Sequence, residues 1–213
     1  MSASQSPAAG AEGSRQERKE RTRQAILAAA LRLSADGGLV AVSLRQVARD
    51  VGIVPTAFYR HFDSVEELGL VLVDESFVSL RAMLRDVRRE ATLEGVIPRS
   101  VDVLLDHVRR QPAHFRFIAR ERNGGSAAIR EAIRRELALA QRELADDIAR
   151  IPGTEGWSRD DLLTMCDLIV TAMVSTAEKI MRTHAEDEAE VVRVARTQLR
   201  MLVVGALNWK SRT

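Results

Sequence analysis

Residues 43–62, SLRQVARDVGIVPTAFYRHF, constrain the fold more than any other part of the chain. Leu44, Val47, Ala48 and Val51 follow the i, i+3, i+4, i+7 spacing that puts four apolar side chains on one helix face. Ser43 stands just before that run, where a hydroxyl can cap free backbone N–H groups. Gly52 marks a tight turn, and Pro55 suits the first position of a second helix, because its φ is already helical and its missing N–H costs nothing there. Phe58 and Phe62, four apart, give that second helix a buried side. Thr56, Ala57, Tyr59, Arg60 and His61 are left on or near the other. The pattern is a helix-turn-helix whose second helix is polar, cationic and hydrogen-bonding, a shape that enters the major groove of DNA.

Composition narrows the rest. Aromatic residues are only 4% of the 213, while Ala, Leu, Arg and Glu are plentiful, which favours helix over sheet. The best apolar run, 201–207, is far short of the ~20 residues needed to span a bilayer. The N-terminus has no apolar signal core, and the single cysteine, Cys166, rules out an intrachain disulfide; a cytoplasmic location and no membrane partner are expected. Net charge is +2, but residues 1–62 carry a balance of +4 and the remainder −2. A basic N-terminal part on a slightly acidic body points to a polyanion binder with a separate second function.

Along the chain, residues 1–14 read as a disordered tail, 15–62 as a three-helix DNA-binding domain and 63–213 as a second helical domain. The first helix is expected over 15–36, with Ile26, Ala30 and Leu33 facing a core. Its cations Arg15, Arg18, Lys19, Arg21 and Arg23 are placed either to line phosphate or a minor groove, or simply to solvate a helix end. Gly37-Gly38 stops it. A long helix follows from about Val65 to about Ala91, offering Leu68, Leu72, Phe77, Leu80, Leu84 and Val87 for packing. Gly95 and Pro98 punctuate the entry to a helix ending near Gln111, and Pro112 opens a shorter one ended by Gly124-Gly125. Ser126 caps a helix to about Ile151; two final helices are expected over 158–183 and 187–209. The fold class is all-α, with about nine helices and no strand.

Reactive chemistry is absent from the pattern. The four histidines make no i, i+4 pair, no Walker loop or GxSxG occurs, and neither a metal site, a cofactor nor catalytic residues are expected. One further stretch is informative: FRFIARERNGGS, residues 115–126, surrounds Glu121 with Arg116, Arg120 and Arg122. Two readings stand. The cations form an internal ion-pair network with Glu121 and acids such as Asp74 or Glu75, or they form a cationic lip over an apolar cavity. Spacing alone favours the network. Met165, Cys166 and Met173 similarly read as core or as cavity lining, and an apolar helical stripe favours core.

GIVPTAFYRHF followed by EELGL, with RTRQAILAAALRLSADGG upstream, resembles the DNA-binding domain of the TetR family of transcriptional regulators. FYRHF, EELGL, VDES and FRFIARERNGGSAAIREAI, in this order, resemble one branch of it, the FabR/DesT regulators of fatty-acid composition, over about residues 15–150. The chain departs from the wider family at Val54, where a Ser commonly caps the recognition helix, and at Val65, where a Lys commonly contacts phosphate. The resemblance implies a non-enzymatic homodimer that binds a palindromic double-stranded operator, most simply as a repressor, with the last two helices of each subunit at the dimer interface. It implies a hydrophobic small-molecule effector, a long-chain acyl thioester such as acyl-CoA. The expected DNA contacts are Ser43 and Tyr59 to phosphate and Arg45 and Thr56 to base edges, with Ala57, Arg60 and His61 beside them. The expected effector contacts are Phe115, Phe117, Arg120, Arg122, Met165, Ile169 and Met173. A TetR-type regulator of a different ligand, and a ligand-independent helical DNA binder, are the alternatives.

Overall fold

Serine caps and first-turn prolines set where most of the helices begin. The structure, a computed structural model, describes residues 7–87, 93–150 and 156–211. Among the described residues the protein is all-helical, as expected, with nine α-helices and no strand. They are α1 (Pro7–Gly37), α2 (Leu44–Val51), α3 (Pro55–Phe58), α4 (Val65–Val87), α5 (Leu93–Arg110), α6 (Pro112–Gly124), α7 (Ala127–Ile148), α8 (Arg159–Arg182) and α9 (Glu188–Leu207). A single 3-10 turn, Leu39–Ala41, follows α1. None of these helices is long and apolar enough to cross a membrane. The chain divides into two compact units, residues 1–72 and 73–213.

The first unit is built on a few large buried side chains. Ile26, Leu27 and Ala30 of α1 are buried, as are Val47 and Ala48 of α2 and Phe58, Phe62 and Leu68. Each α2 face residue lands where its spacing puts it, with Leu44 and Val51 half-buried at the edges. Ser43 and Gln46 form a reciprocal capping box, the Ser43 hydroxyl accepting from Gln46 N–H at 3.2 Å and the Gln46 side chain accepting from Ser43 N–H at 2.8 Å. Gly38 and Gly52 have φ of 74° and 75°, so α1 and α2 both end on residues that only glycine adopts without strain. Arg32 and Asp50 tie α1 to α2 at 2.6 Å.

Two boundaries differ from the sequence expectation here. The helix expected from Arg15 begins at Pro7, so residues 7–14, read as tail, are helical, while residues 1–6 lie outside the described residues. Pro7 is tolerated at a first helical position, and Ala8, Ala9 and Ala11 are strong helix formers, which offsets Gly10 and Gly13. The compact unit extends to Leu72, inside α4, rather than stopping at residue 62. The helix end expected near Ala91 and the side chains of Leu84 and Val87 lie outside the described residues.

In the second unit, three apolar clusters join the helices. Leu104 and Val108 of α5 pack with Ala177 and Ile180 of α8; Val101 packs with Ala195 and Leu199 of α9; and Ala145 of α7 packs with Leu162 and Cys166 of α8. Ser126 and Ser158 cap α7 and α8 by accepting from Ile129 N–H and Asp161 N–H. The α5 helix starts at Leu93 with Pro98 inside it, where the sequence suggested an interruption; Pro98 removes one backbone donor near the start without ending the helix. The end expected for α7 at Ile151 lies outside the described residues, and α9 stops at Leu207, leaving Trp209 beyond it and 53% exposed instead of packed on a core face.

A Cβ added at Gly52 would meet nothing within 4 Å, so any cost there is backbone strain alone. Gly52→Ala is therefore expected to lose roughly 1–2 kcal/mol of stability, the penalty for a left-handed residue with a side chain. Urea denaturation of the full chain checks it; an unchanged midpoint would mean the turn relaxes out of this conformation.

Candidate nucleic-acid interface and apolar cavity

The α3 helix is only four residues long, and its turn continues through His61 N–H to Phe58 C=O at 2.8 Å and Phe62 N–H to Phe58 C=O at 3.1 Å. It is held by what it buries. The Phe58 and Phe62 rings lie 5.8 Å apart, fully enclosed, and Tyr59 stands edge-on to Phe58 at 5.9 Å while remaining 59% exposed. Arg23 closes this corner from α1: its guanidinium lies 4.4 Å over the Phe62 ring and donates to the His61 carbonyl at 3.1 Å. Arg23 is thus structural, in contrast to the phosphate role open to it in the sequence, whereas Arg15, Arg18, Lys19 and Arg21 are exposed.

The residues expected at DNA fall into two groups. Ser43, Arg45, Thr56, Tyr59 and Arg60 are exposed and Ala57 half-buried between them. The Ser43 hydroxyl spends its lone pair on the α2 cap, which leaves its proton for an outside acceptor such as a phosphate oxygen. His61 stands apart. It is half-buried, its Nδ1 has no hydrogen-bond partner among the described residues, and burial together with Lys19 and Arg23 lowers its pKa. An imidazole held neutral beside cations adds no charge to the face. Val54, at the α3 N-cap, makes no side-chain cap; Pro55 supplies the helical start instead.

Within the second unit, α4, α5, α6, α7 and α8 leave between them a cavity of about 130 Å³. Its walls are largely apolar: Phe77 and Leu80 from α4, Phe115 and Ile118 from α6, Leu137 and Leu144 from α7. Ile169, Met173 and Val174 supply the α8 wall. Polar groups are few. Ser76 and His114 face each other with Oγ and Nδ1 2.9 Å apart, and burial lowers the His114 pKa more than nearby Glu75 raises it. Arg122 reaches Glu178 of α8 at 3.1 Å, and Glu178 also holds Arg182 at 3.1 Å. Among the described residues no His, Cys, Asp and Glu group could hold a metal.

Of the residues expected to contact an effector, Phe115, Arg122, Ile169 and Met173 line the cavity. Phe117, Arg120 and Met165 do not. Phe117 lies two residues from Phe115 on the helix, so it turns away into buried packing, and Arg120 is exposed. Met165 lies one turn before Ile169, toward the α8 N-terminus. The cationic cluster of 115–126 also resolves into separate roles. Arg122 pairs across to α8, Arg116 and Arg120 are exposed, and Glu121 is buried, with its carboxylate so close to Gly125 that an added Cβ would lie 2.7 Å from Oε2. Sequence reasoning missed Ser76, Gln111, His114 and Glu178 as lining residues. Its available signal was Ser76, a polar residue four after Leu72 and four before Leu80 on an otherwise apolar stripe.

A helix-turn-helix presenting an exposed polar face has the shape that enters the major groove of DNA. Residues 26–70 match the model of the bacterial regulatory proteins of the tetR family. A putative TetR-family transcriptional regulator from Syntrophomonas wolfei shares its fold with a TM-score of 0.72 at 16% identity, over 87% of this chain and 96% of that one. The fatty acid degradation regulator FadR from Bacillus halodurans gives 0.68 at 12% identity, over 86% and 95%. FadR from Bacillus subtilis, in complex with stearoyl-CoA, gives 0.67 at 15% identity, over 85% and 98%. At these identities the likeness is one of fold.

With DNA on this face, the exposed Tyr59 hydroxyl would reach phosphate, a contact that carries no sequence information. Tyr59→Phe is expected to weaken operator and nonspecific DNA alike, each by roughly tenfold, with no change in thermal stability. Fluorescence anisotropy on both DNAs checks this, and full retention of operator affinity removes Tyr59 from the interface.

Proposed function

We propose that this chain is a TetR-family transcriptional regulator that binds a palindromic operator as a homodimer, most simply as a repressor, and that a long-chain acyl thioester such as acyl-CoA sets its operator affinity. In this reading residues 15–62 contact DNA and residues 63–213 hold the effector and the partner subunit. The observation that carries it is the apolar cavity of about 130 Å³ lined by α4, α5, α6, α7 and α8. Support for an acyl ligand comes from the stearoyl-CoA complex of the similarly folded Bacillus subtilis FadR and from the sequence likeness to the FabR/DesT branch.

The cavity's size gives the mechanism its direction. An apolar void of ~150 Å³ binds benzene, so this one takes a comparable length of an acyl chain and a longer chain has to part the helices. Phe77 and Leu80 put α4 in its wall, and the chain passes from the DNA-binding residues into that wall within this one helix. A ligand that fits a shifted α4 better stabilises that arrangement and alters the separation of the two recognition helices, which must stay about 34–36 Å apart to read both half-sites.

For the partner, the outer faces of α8 and α9 are apolar and exposed at Leu168, Met201 and Val204, with the small residues Thr171, Ser175 and Gly205 among them. A second copy of the same face is the occupant this supports, since small residues allow symmetric close approach. Leu202, one residue from Met201, packs inward on the Val101, Ala195 and Leu199 cluster instead.

Two outcomes follow. Met201→Glu combined with Val204→Glu is expected to give folded monomers that have lost operator binding, seen by sedimentation and circular dichroism; a stable dimer would exclude this face. In a chain-length series, long acyl-CoA is expected to change operator affinity where free CoA does not, with binding rising by up to about 0.8 kcal/mol per CH₂ buried. An operator affinity indifferent to every chain length would leave the regulator but remove the acyl effector.

A further inference from the structure

Much of α1 lies ahead of the core it serves, and ahead of residues 26–70 that carry the family match. Among the described residues its first buried side chain is Ile26, whereas the helix begins at Pro7, roughly 28 Å earlier at ~1.5 Å per residue. Residues 15–21 are exposed on every side. A helix that buries no face gains nothing from packing, yet the charges here are sorted. Arg15, Lys19 and Arg23 stack in one i, i+4 row, with Arg18 beside the first two. Glu17, Glu20 and Gln24 fall on the opposite side, where Gln24 donates to Glu20 at 3.0 Å, and Arg21 lies one turn after Glu17. Arg15, Arg18 and Lys19 make no ion pair with any of the described residues. Like cations at i, i+3 and i, i+4 repel, so this row destabilises a free helix, which opposite signs at the same spacing would support. A merely solvated helix end accounts for the exposure and not for the sorting.

The row also leads to a definite place. Arg23 lies 4.4 Å over the Phe62 ring and donates to the His61 carbonyl. The His61 pKa is lowered by burial and then by Lys19, one turn before Arg23, which puts that ammonium close to the same corner. The row therefore starts at the end of the α3 turn, beside exposed Arg60, and runs from there along α1. With α3 in a major groove, that end meets the phosphates bordering the groove. Successive members of the row sit ~6 Å apart, dense enough to follow a backbone that carries one charge per ~3.4 Å of axis on each strand. We propose that Arg15, Arg18 and Lys19 bind the phosphate backbone of duplex DNA just outside each half-site, extending the length of DNA held without reading its sequence. Contacts to phosphate oxygens carry no base information, so the sequence of the flank is free. The inference rests on the reading of the α2–α3 face as DNA-binding and deepens it, since it fixes how much DNA beyond the half-site is bound.

Salt dependence on duplexes of two lengths tests it. The site that the full-length protein enriches from a random duplex pool is prepared as its symmetric core alone and with about ten base pairs added on each side, enough to span the roughly 28 Å of helix. Wild-type protein is expected to bind the flanked duplex at least about tenfold more tightly at low salt, with a steeper fall of log affinity against log salt. Scrambling the flank sequence is expected to change nothing. On flanked DNA, Arg15→Gln and Lys19→Gln are each expected to reduce the slope by about two, one phosphate for each subunit of the dimer, and on the bare core to leave it unchanged. Arg21→Gln removes the same charge from the other side of the helix and is expected to leave both slopes as they are. Glutamine is as good a helix former as the residues replaced, so the circular dichroism spectrum stays the same. A wild-type slope that is equal with and without flanks, or an Arg21→Gln effect as large as that of the other two variants, overturns the inference and leaves the DNA-binding reading standing. A pool that enriches no site removes that reading, and the inference with it.

Discussion

The burial of Phe58 and Phe62, closed over by Arg23, is the interaction on which the exposed α2–α3 face depends. A four-residue helix has no stability of its own, because nucleating a helical turn costs more than its few hydrogen bonds return. The two rings supply what the backbone lacks, and their inward direction fixes which side chains point out. Thr56, Tyr59 and Arg60 are exposed because Phe58 and Phe62 are not. Arg23 does double duty in this corner, covering a ring face and satisfying the His61 carbonyl at the end of the turn. The cost falls on His61, whose ring is left neutral among cations with one nitrogen unpartnered among the described residues.

The second unit has the opposite design. Its α5–α8, α5–α9 and α7–α8 clusters are packed, yet the helices around Phe115 and Met173 leave a void that ordinary interiors fill. Leaving such a space open forfeits packing energy, on the order of 24 cal/mol per Å³, which makes it easier to understand as a site than as a defect. The polar groups in its wall are arranged with equal economy. Glu178 holds both Arg122 and Arg182, and Ser76 holds His114, so the few polar groups are paired with one another.

What the sequence made legible was local. The capping box at Ser43, the left-handed turn at Gly52, the start at Pro55 and the inward pair Phe58 and Phe62 are all specified within twenty residues, and each is where the pattern places it. Ser126 and Ser158 were equally readable as helix starts. The cavity was less so, because its lining is assembled from α4 through α8, and a helical stripe alone does not say which of its residues face a space. Phe115 and Phe117 are two apart and similar in kind, yet only Phe115 lines the void. Arg122 read as a partner for Glu121 or a lip for an anion, and its acid proved to be Glu178, more than fifty residues away in sequence. Pairing at that separation leaves no periodic trace. The α1 start at Pro7 was missed for a different reason, since the composition of a polar tail outweighed the alanines within it.

The α2–α3 face and its duplication in a symmetric dimer are the centre of the functional reading, and selection of binding sites from a random pool of duplex DNA by the full-length protein tests both together. Enriched sequences should be two-fold symmetric, with half-site centres one helical turn apart, about 34–36 Å, and the contacts from Arg45 and Thr56 should make the same base positions invariant in each half. A pool that stays random after repeated rounds, or that converges on a single asymmetric site bound by one subunit, would contradict it.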